Sequence, residues 1–259
     1  MTAVPEYPPG RNLLDGRIVV VTAAAGAGIG FAAARRCVEE GATVVISDVH
    51  ERRLGEAADV LADLTGQRPV AVRCDVTVED DVQGLFAAAI DAHGHVDVLV
   101  NNAGLGGETP LVDMTDEEWQ RVLDVTLTGT MRCTRAALRH MTPRGSGAIV
   151  NNASVLGWRA QAGQAHYAAA KAGVMALTRS AAIEAADHGV RVNCVAPSIA
   201  MHPHLARTSS EELLAGLVAE EAFGRAAEPW EVANVMVFLA SDLSSYMTGE
   251  VVSVSSRHP

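Results

Sequence analysis

Ile18-Val19-Val20-Val21-Thr22-Ala23-Ala24-Ala25-Gly26-Ala27-Gly28-Ile29-Gly30 decides the fold: a β-branched apolar run breaks into glycines and then into an alanine-rich helical pattern. A strand without polar alternation is buried on both faces. Outward from this unit the same alternation recurs. Strands are expected at 18–22, 43–47, 70–74, 96–100, 148–151, 190–195 and 251–254. Helical patterns fill 30–40, 53–64, 78–93, 116–141, 166–187 and 229–240. Seven strands alternating with helices predict one α/β domain over 1–259, built on a doubly wound parallel sheet. Residues 1–14 read as a loose N-terminal tail. Residues 198–225, with a short helix near 211–221, interrupt the alternation beside the end of the sixth strand and read as a substrate lid.

Composition narrows the function. Hydrophobic residues make up 49% of the 259 positions, which excludes intrinsic disorder. A net charge of −11 repels phosphate backbones and anionic lipid, so neither nucleic acid nor membrane is an expected partner. Cys37, Cys74, Cys133 and Cys194 form no CxxC pair, so no metal site and no disulfide framework is expected, and a reducing cytoplasm fits. The N-terminus lacks the apolar core of a secretion signal. The uncharged stretch 18–34 is short and rich in Ala and Gly, as a buried strand and packed helix would be.

The glycine loop at Gly26, Gly28 and Gly30, with Ile29 opening the helix, offers backbone N–H groups to a pyrophosphate. Asp48 closes the second strand 18 residues beyond Gly30. A carboxylate there accepts from ribose hydroxyls and repels a 2′-phosphate, which favours NAD over NADP, although Arg52 and Arg53 follow closely and keep NADP open. A helix cap is the plainer reading of Asp48. Asp75-Val76 and Asn101-Asn102-Ala103-Gly104 end the third and fourth strands, at the sheet edge where ligands collect. An Asp there can accept from an adenine amino group.

The fifth strand runs into Ala153-Ser154, and 13 residues after Ser154 a helix carries Tyr167 and Lys171. Positions i and i+4 share a helix face, so phenol and ammonium can point into one cleft. Lys171 is the single lysine against 19 arginines. A compact cation stabilises phenolate and lowers a phenol pKa that is otherwise near 10. Tyr167 would then exchange a proton with a substrate oxygen that Ser154 holds, beside hydride transfer to or from nicotinamide.

These motifs, together with Tyr167-Ala168-Ala169-Ala170-Lys171 and Asn193-Cys194-Val195-Ala196-Pro197, resemble the short-chain dehydrogenase/reductase family over essentially the whole chain. The resemblance implies a Rossmann-like domain, NAD(P), interconversion of alcohols and ketones, and frequently a homotetramer, for which small residues such as Ala168, Ala169, Ala172 and Ala176 allow close helix contact. It adds Pro197 and Ala200 to the cofactor residues. Several positions depart from the pattern. Ala24 replaces the first glycine, Thr22 stands one residue upstream of the usual Thr, and Thr126 takes the place of an Asn that anchors a relay water. Thr126 is therefore assigned to the catalytic set through its hydroxyl. Ser198 follows Pro197 where Gly is usual, His202 replaces a Thr, and Val254-Ser255-Ser256 replaces an acidic-glycine ending.

Asn151-Asn152-Ala153-Ser154-Val155-Leu156-Gly157-Trp158-Arg159 with Pro197-Ser198-Ile199-Ala200 resembles an actinobacterial branch acting on hydroxy or oxo groups of steroid-derived bicyclic CoA thioesters. Trp158, Met201, Leu205 and Phe223 are candidates for an apolar pocket, or else plain core, and Arg159 and Arg207 for a carboxylate or CoA phosphate, or else surface charge. Two other readings stand beside this one: an NADPH-linked 3-oxoacyl-thioester reductase, and a non-catalytic dinucleotide-binding sensor or scaffold.

Overall fold

The computed structural model describes residues 2–201, 205 and 211–257. Seven parallel strands form one sheet: β1 (Ile18–Val21), β2 (Thr43–Asp48), β3 (Val70–Arg73), β4 (Val98–Asn101), β5 (Gly147–Asn152), β6 (Val190–Pro197) and β7 (Val251–Val254). Their order is β3-β2-β1-β4-β5-β6-β7, so the expected doubly wound sheet is found. The helices are α1 (Ile29–Glu39), α2 (Glu51–Thr65), α3 (Glu79–His93), α4 (Asp116–Leu123), α5 (Gly129–Arg144), α6 (Ala165–Ala186), α7 (Glu211–Ala219) and α8 (Pro229–Ala240).

Successive strand side chains point to opposite faces, which sorts the core into two. Val19, Val21, Val44, Ile46 and Val98 pack with α1, α2 and α8 on one face. Val20, Val45, Leu99 and Ile149 pack with α3, α5 and α6 on the other. Both layers are apolar, hence the uninterrupted Val-Ile-Leu runs along the central strands.

Two expectations fail here. The helix expected over 116–141 is broken into α4, a π-helical turn at Asp124–Thr128, and α5. The wider turn sets Thr126 fully inside the protein and brings Gly129 so close to Val76 that an added Cβ would stand 2.6 Å from a Val76 methyl. A π-turn inserted in a helix is a recurrent feature of functional sites, and periodicity does not reveal it.

The tail expected to be loose over 1–14 is held from Tyr7 to Leu14. Tyr7 donates to Glu39 Oε2 at 2.6 Å, Arg36 donates to the Pro8 carbonyl at 3.1 Å, and Glu40 Oε2 accepts from Arg11 N at 2.7 Å and Leu13 N at 3.1 Å. Leu14 is buried in the core. The last turn of α1 lines up Arg36, Glu39 and Glu40 along the path of the tail, so irregular backbone finds its partners on a helix rather than in water.

Candidate active site

The winding of the sheet reverses between β3 and β4, which opens a crevice at the C-terminal ends of β1 and β4. There β1 turns through Ala23 at φ +50° and Gly26 at φ +87° into α1. A Cβ on Gly30 would lie 2.2 Å from the Ala23 carbonyl oxygen and 2.3 Å from Asn102 Nδ2, so only glycine lets the helix begin this close. Gly28 is the N-cap and offers no side-chain cap, which leaves the first-turn N–H groups, beginning with that of half-buried Ile29, free to bind an anion.

Asp48 is bound into this loop. Its Oδ2 accepts from Ala25 N at 3.3 Å and its Oδ1 from His50 N at 3.0 Å. Burial pushes its pKa up, opposed by the Ala25 hydrogen bond and the charge of Arg53. Beyond it lies a cleft of about 410 Å³ lined by Val49, His50, Glu51, Arg52, Arg53 and Arg73. Arg52 is paired with Glu56 at 2.6 Å and Arg73 with Asp81 at 3.1 Å. Arg53 is thus the one arginine of this cleft without a carboxylate at ion-pair distance among the described residues. Asp75 makes a turn into α3, its Oδ1 accepting from Thr77 N at 2.9 Å and Thr77 Oγ1 at 2.7 Å, with Val76 buried beside it. Pro197 ends β6 opposite Val254, and Ala200 bridges to Ala227.

Asparagines stitch the crevice together. The backbone N–H groups of Asn102 and Ala103 both donate to Thr22 Oγ1, at 3.0 and 3.1 Å, and Asn102 Nδ2 donates to the Ala23 carbonyl at 3.0 Å. Asn152 Nδ2 donates to Asn102 Oδ1 at 2.9 Å. Deeper in the sheet, Asn101 Nδ2 donates to Asn151 Oδ1 at 2.9 Å and to Thr134 Oγ1 at 3.0 Å, and Asn151 Nδ2 to Thr178 Oγ1 at 2.9 Å.

Ser154, Tyr167 and Lys171 converge at the end of β5. Ser154 is buried, follows the strand in extended backbone, accepts from Leu156 N at 3.2 Å, and its hydroxyl lowers the pKa of the Tyr167 phenol. Lys171 lies one turn after Tyr167 on α6, 3% exposed, and its Nζ donates to the Asn152 carbonyl at 2.6 Å and sits 5.5 Å from the centroid of the Tyr167 ring. Burial depresses Lys171 to a pKa of about 8. Gly104 closes the far side: a Cβ there would be 3.4 Å from Lys171 Nζ.

Two mechanistic expectations change. The lysine was expected to acidify the phenol, yet burial raises the Tyr167 pKa and the opposing pull comes from the Ser154 hydrogen bond. The ammonium donates to the Asn152 carbonyl and stands 5.5 Å from the ring centroid, so its charge acts from beside the ring while burial dominates the phenol. Thr126 was expected to hold a relay water. Its hydroxyl instead clamps Leu105, accepting from Leu105 N at 2.9 Å and donating to the Leu105 carbonyl at 3.1 Å. A hydroxyl has one proton, and this one is committed to shaping the turn after Gly104.

Trp158 and Phe223 are 44% and 53% exposed, which rules out the reading of these two as core, while Met201 and Leu205 are half-buried. His202 and Arg207, like parts of the expected lid, lie outside the described residues. Arg159 Nη2 donates to the Arg257 carbonyl at 2.7 Å, and Glu221 Oε2 accepts from Ser256 Oγ at 2.6 Å, so the C-terminal tail joins the turn after Ser154 to the segment after α7. Sequence reasoning assigned no role to Asn152. The available signal was two Asn-Asn pairs, 101–102 and 151–152, each ending a strand.

A dinucleotide fits these residues: a glycine-lined close approach, an uncapped helix start and a carboxylate at the end of β2 occur along one crevice. Comparison with known proteins adds independent findings. A family model described as enoyl-(acyl carrier protein) reductase matches residues 23–256. The chain is 63% identical to (5R,7aS)-5-hydroxy-7a-methyl-1-oxo-2,3,5,6,7,7a-hexahydro-1H-indene-carboxyl-CoA reductase of Mycobacterium tuberculosis, over 100% of this chain and 99% of that protein. It is 46% identical to cis-4-hydroxycyclohexanecarboxylate dehydrogenase of Sinomonas cyclohexanicum, over 93% and 96% of the two chains. A crystal structure of a short chain dehydrogenase from Mycobacterium smegmatis superposes with a TM-score of 0.89 at 60% identity, covering 99% of each chain.

Proposed function

The chain belongs to the short-chain dehydrogenase/reductase family, and from that membership we propose that it interconverts a secondary alcohol and a ketone on a bicyclic, hydrindane-type acid carried as a CoA thioester, with NAD as its cofactor. The observation that carries the reaction is the convergence of Ser154, Tyr167 and Lys171 on the crevice that the glycine loop opens. The substrate class rests on the two curated relatives, one named for a hydrindane carboxyl-CoA and one for a hydroxycyclohexanecarboxylate, which share a hydroxylated ring bearing a carboxyl group.

In this reading Gly26, Gly28, Ile29 and Gly30 would hold the pyrophosphate of a dinucleotide, Asp48 would accept from its adenosine ribose, Asp75 and Val76 would receive the adenine, and Asn102, Ala103, Gly104, Pro197 and Ala200 would hold the remainder. Bound there, it supplies or accepts the hydride. Ser154 holds the substrate oxygen while Tyr167 gives or takes its proton, and the ammonium of Lys171 holds charge near the ring. Asp48 meets a 2′-phosphate with like charge, and Arg52 and Arg73 are paired with carboxylates, which supports NAD over NADP. Segment 198–225 covers the substrate, with Trp158 and Phe223 as exposed apolar contacts for the rings. Exposed Ile183 on α6 and Leu243 and Tyr246 before β7 suit burial between subunits of a homotetramer. Four free, buried thiols suit a reducing cytoplasm.

A nicotinamide-absorbance screen of cyclic secondary alcohols and their CoA thioesters, with NAD and NADP in parallel, tests the assignment. Tyr167→Phe is expected to bind NAD with near-normal affinity and to lose turnover by about 100-fold or more. Full turnover in that variant removes Tyr167 from the mechanism, and activity confined to free alcohols removes the thioester.

A further inference from the structure

Asn152 sits between the cofactor loop and the catalytic lysine, and its two polar ends reach one each. Its backbone carbonyl accepts the Lys171 ammonium at 2.6 Å. Its side-chain Nδ2 donates to Asn102 Oδ1 at 2.9 Å, and Asn102 Nδ2 donates to the Ala23 carbonyl at 3.0 Å. The direction of the chain follows from its far end. A carbonyl can only accept, so the Asn102 amide must turn its nitrogen to Ala23, which turns its oxygen to Asn152 and makes the Asn152 nitrogen the donor. Asn152 Oδ1 is thereby left buried without a partner. An unpaired buried acceptor is a cost to the fold, which weighs against a purely structural role for this amide. The loop end of the chain is itself strained, Ala23 holding φ +50° without being glycine.

We propose that Asn152 is a positioning residue, which hands the shape of the 22–28 loop through Asn102 to Lys171 and so sets where the ammonium stands relative to Tyr167. The inference rests on the reading of Tyr167 and Lys171 as the proton-transfer set. Cofactor contact with the loop is then felt at the ammonium across three strands, β1, β4 and β5, without any charge in the path. Around Lys171 the facing ionisable groups are Tyr167 on the same helix and Cys194 on β6, while Thr126 and Asn152 are neutral.

Because Lys171 is the only lysine, labelling with ε-¹³C-lysine yields one resonance and reads this ammonium directly, with no substrate required. In Asn152→Leu and in Asn102→Ala the titration midpoint of that resonance is expected to move in the same direction by about 0.5 unit or more, with no further movement in the double variant, because one chain is broken once. Thr134→Val, which removes a buried hydrogen bond to Asn101 from the neighbouring network, should leave the midpoint in place. Should Asn152→Leu fail to fold, Asn152→Ala reads the same link. At saturating cofactor and substrate, Asn152→Leu should lower kcat about 10-fold with the NADH Kd changed by less than about 3-fold, and in a Lys171→Met background it should cost less than about 2-fold. An unmoved lysine midpoint in both single variants, an equal movement in Thr134→Val, or an undiminished cost without Lys171 overturns the proposal. A moving lysine signal in a protein that turns over no secondary alcohol instead overturns the assigned reaction and spares the positioning role.

Discussion

Arg36 and Lys171 are both cations removed from water, 4% and 3% exposed, and the molecule treats them in opposite ways. Arg36, at the end of α1, donates to Glu40 Oε1 at 2.6 Å, Glu39 Oε2 at 2.8 Å and the Pro8 carbonyl. Burial pulls its pKa down, but hydrogen bonds to Glu39 and Tyr7 and the charge of Glu40 outweigh this and raise it. Lys171 meets a carbonyl, a ring and neutral amides, and burial brings its pKa down to about 8. Solvent exposure is similar at the two places. The difference lies in whether counter-charge is supplied. Where the chain needs a rigid strap it surrounds a cation with carboxylates. Where it needs a proton-transfer group it withholds them, so the charge stays close to its titration point.

Lys171→Met breaks the comparison most severely. Turnover is expected to fall about 100-fold or more, by removal of the cation beside Tyr167. Stability should move the other way. The folded-state pKa of about 8 lies below the unfolded value near 10.4, so the ammonium costs stability at all pH values below about 8, and the cost fades as the pH rises from 8 to 10.4. At pH 7 the variant should therefore unfold at higher urea concentration, by up to about 3 kcal/mol less the loss of the bond to the Asn152 carbonyl, with the two proteins converging near pH 10.5. A stability difference between Lys171→Met and wild type that does not shrink between pH 8 and 10.5 contradicts this account.

Glu40→Gln is next in size. Its carboxylate holds Arg36 and two backbone N–H groups, and halving the counter-charge of a buried arginine should cost about 2–4 kcal/mol in urea unfolding. The cofactor loop lies at the other end of α1, roughly 16 Å away along the helix axis, so kcat should hold. A loss of turnover at unchanged stability would show that the strap acts on the site.

Asp48→Ser tests the other end of the crevice. Replacing the carboxylate should narrow the NAD-over-NADP preference by about 10-fold, as Arg53 loses the charge that opposes it, read as the ratio of kcat/KM for the two cofactors. Tyr7→Phe is the smallest. It deletes the 2.6 Å bond to Glu39 but keeps the ring against Trp230 at 5.3 Å, so about 1 kcal/mol of stability and no turnover should be lost.

Much of the site could be read before the structure because its chemistry is local. Gly26 to Gly30 follow a strand, and Tyr167 and Lys171 share a helical turn, so neighbours in sequence are neighbours in space. The bonds of Thr126 to Leu105 were not legible for the opposite reason: they join residues 21 apart across a π-turn that periodicity does not reveal. Asn152 was passed over because its partners lie 50 residues before it and 19 after it.

The order of strands and helices, the two-sided burial of the central strands and the spacing of Ser154, Tyr167 and Lys171 were determined by the sequence alone, since periodicity along a chain encodes which faces are buried. Tertiary structure alone decided that residues 7–13 are strapped to the end of α1, that the Thr126 hydroxyl closes on Leu105, and that Lys171 is buried against a carbonyl rather than a carboxylate. Those outcomes depend on which distant segments meet, and a group's charge state follows from the partners that folding brings to it.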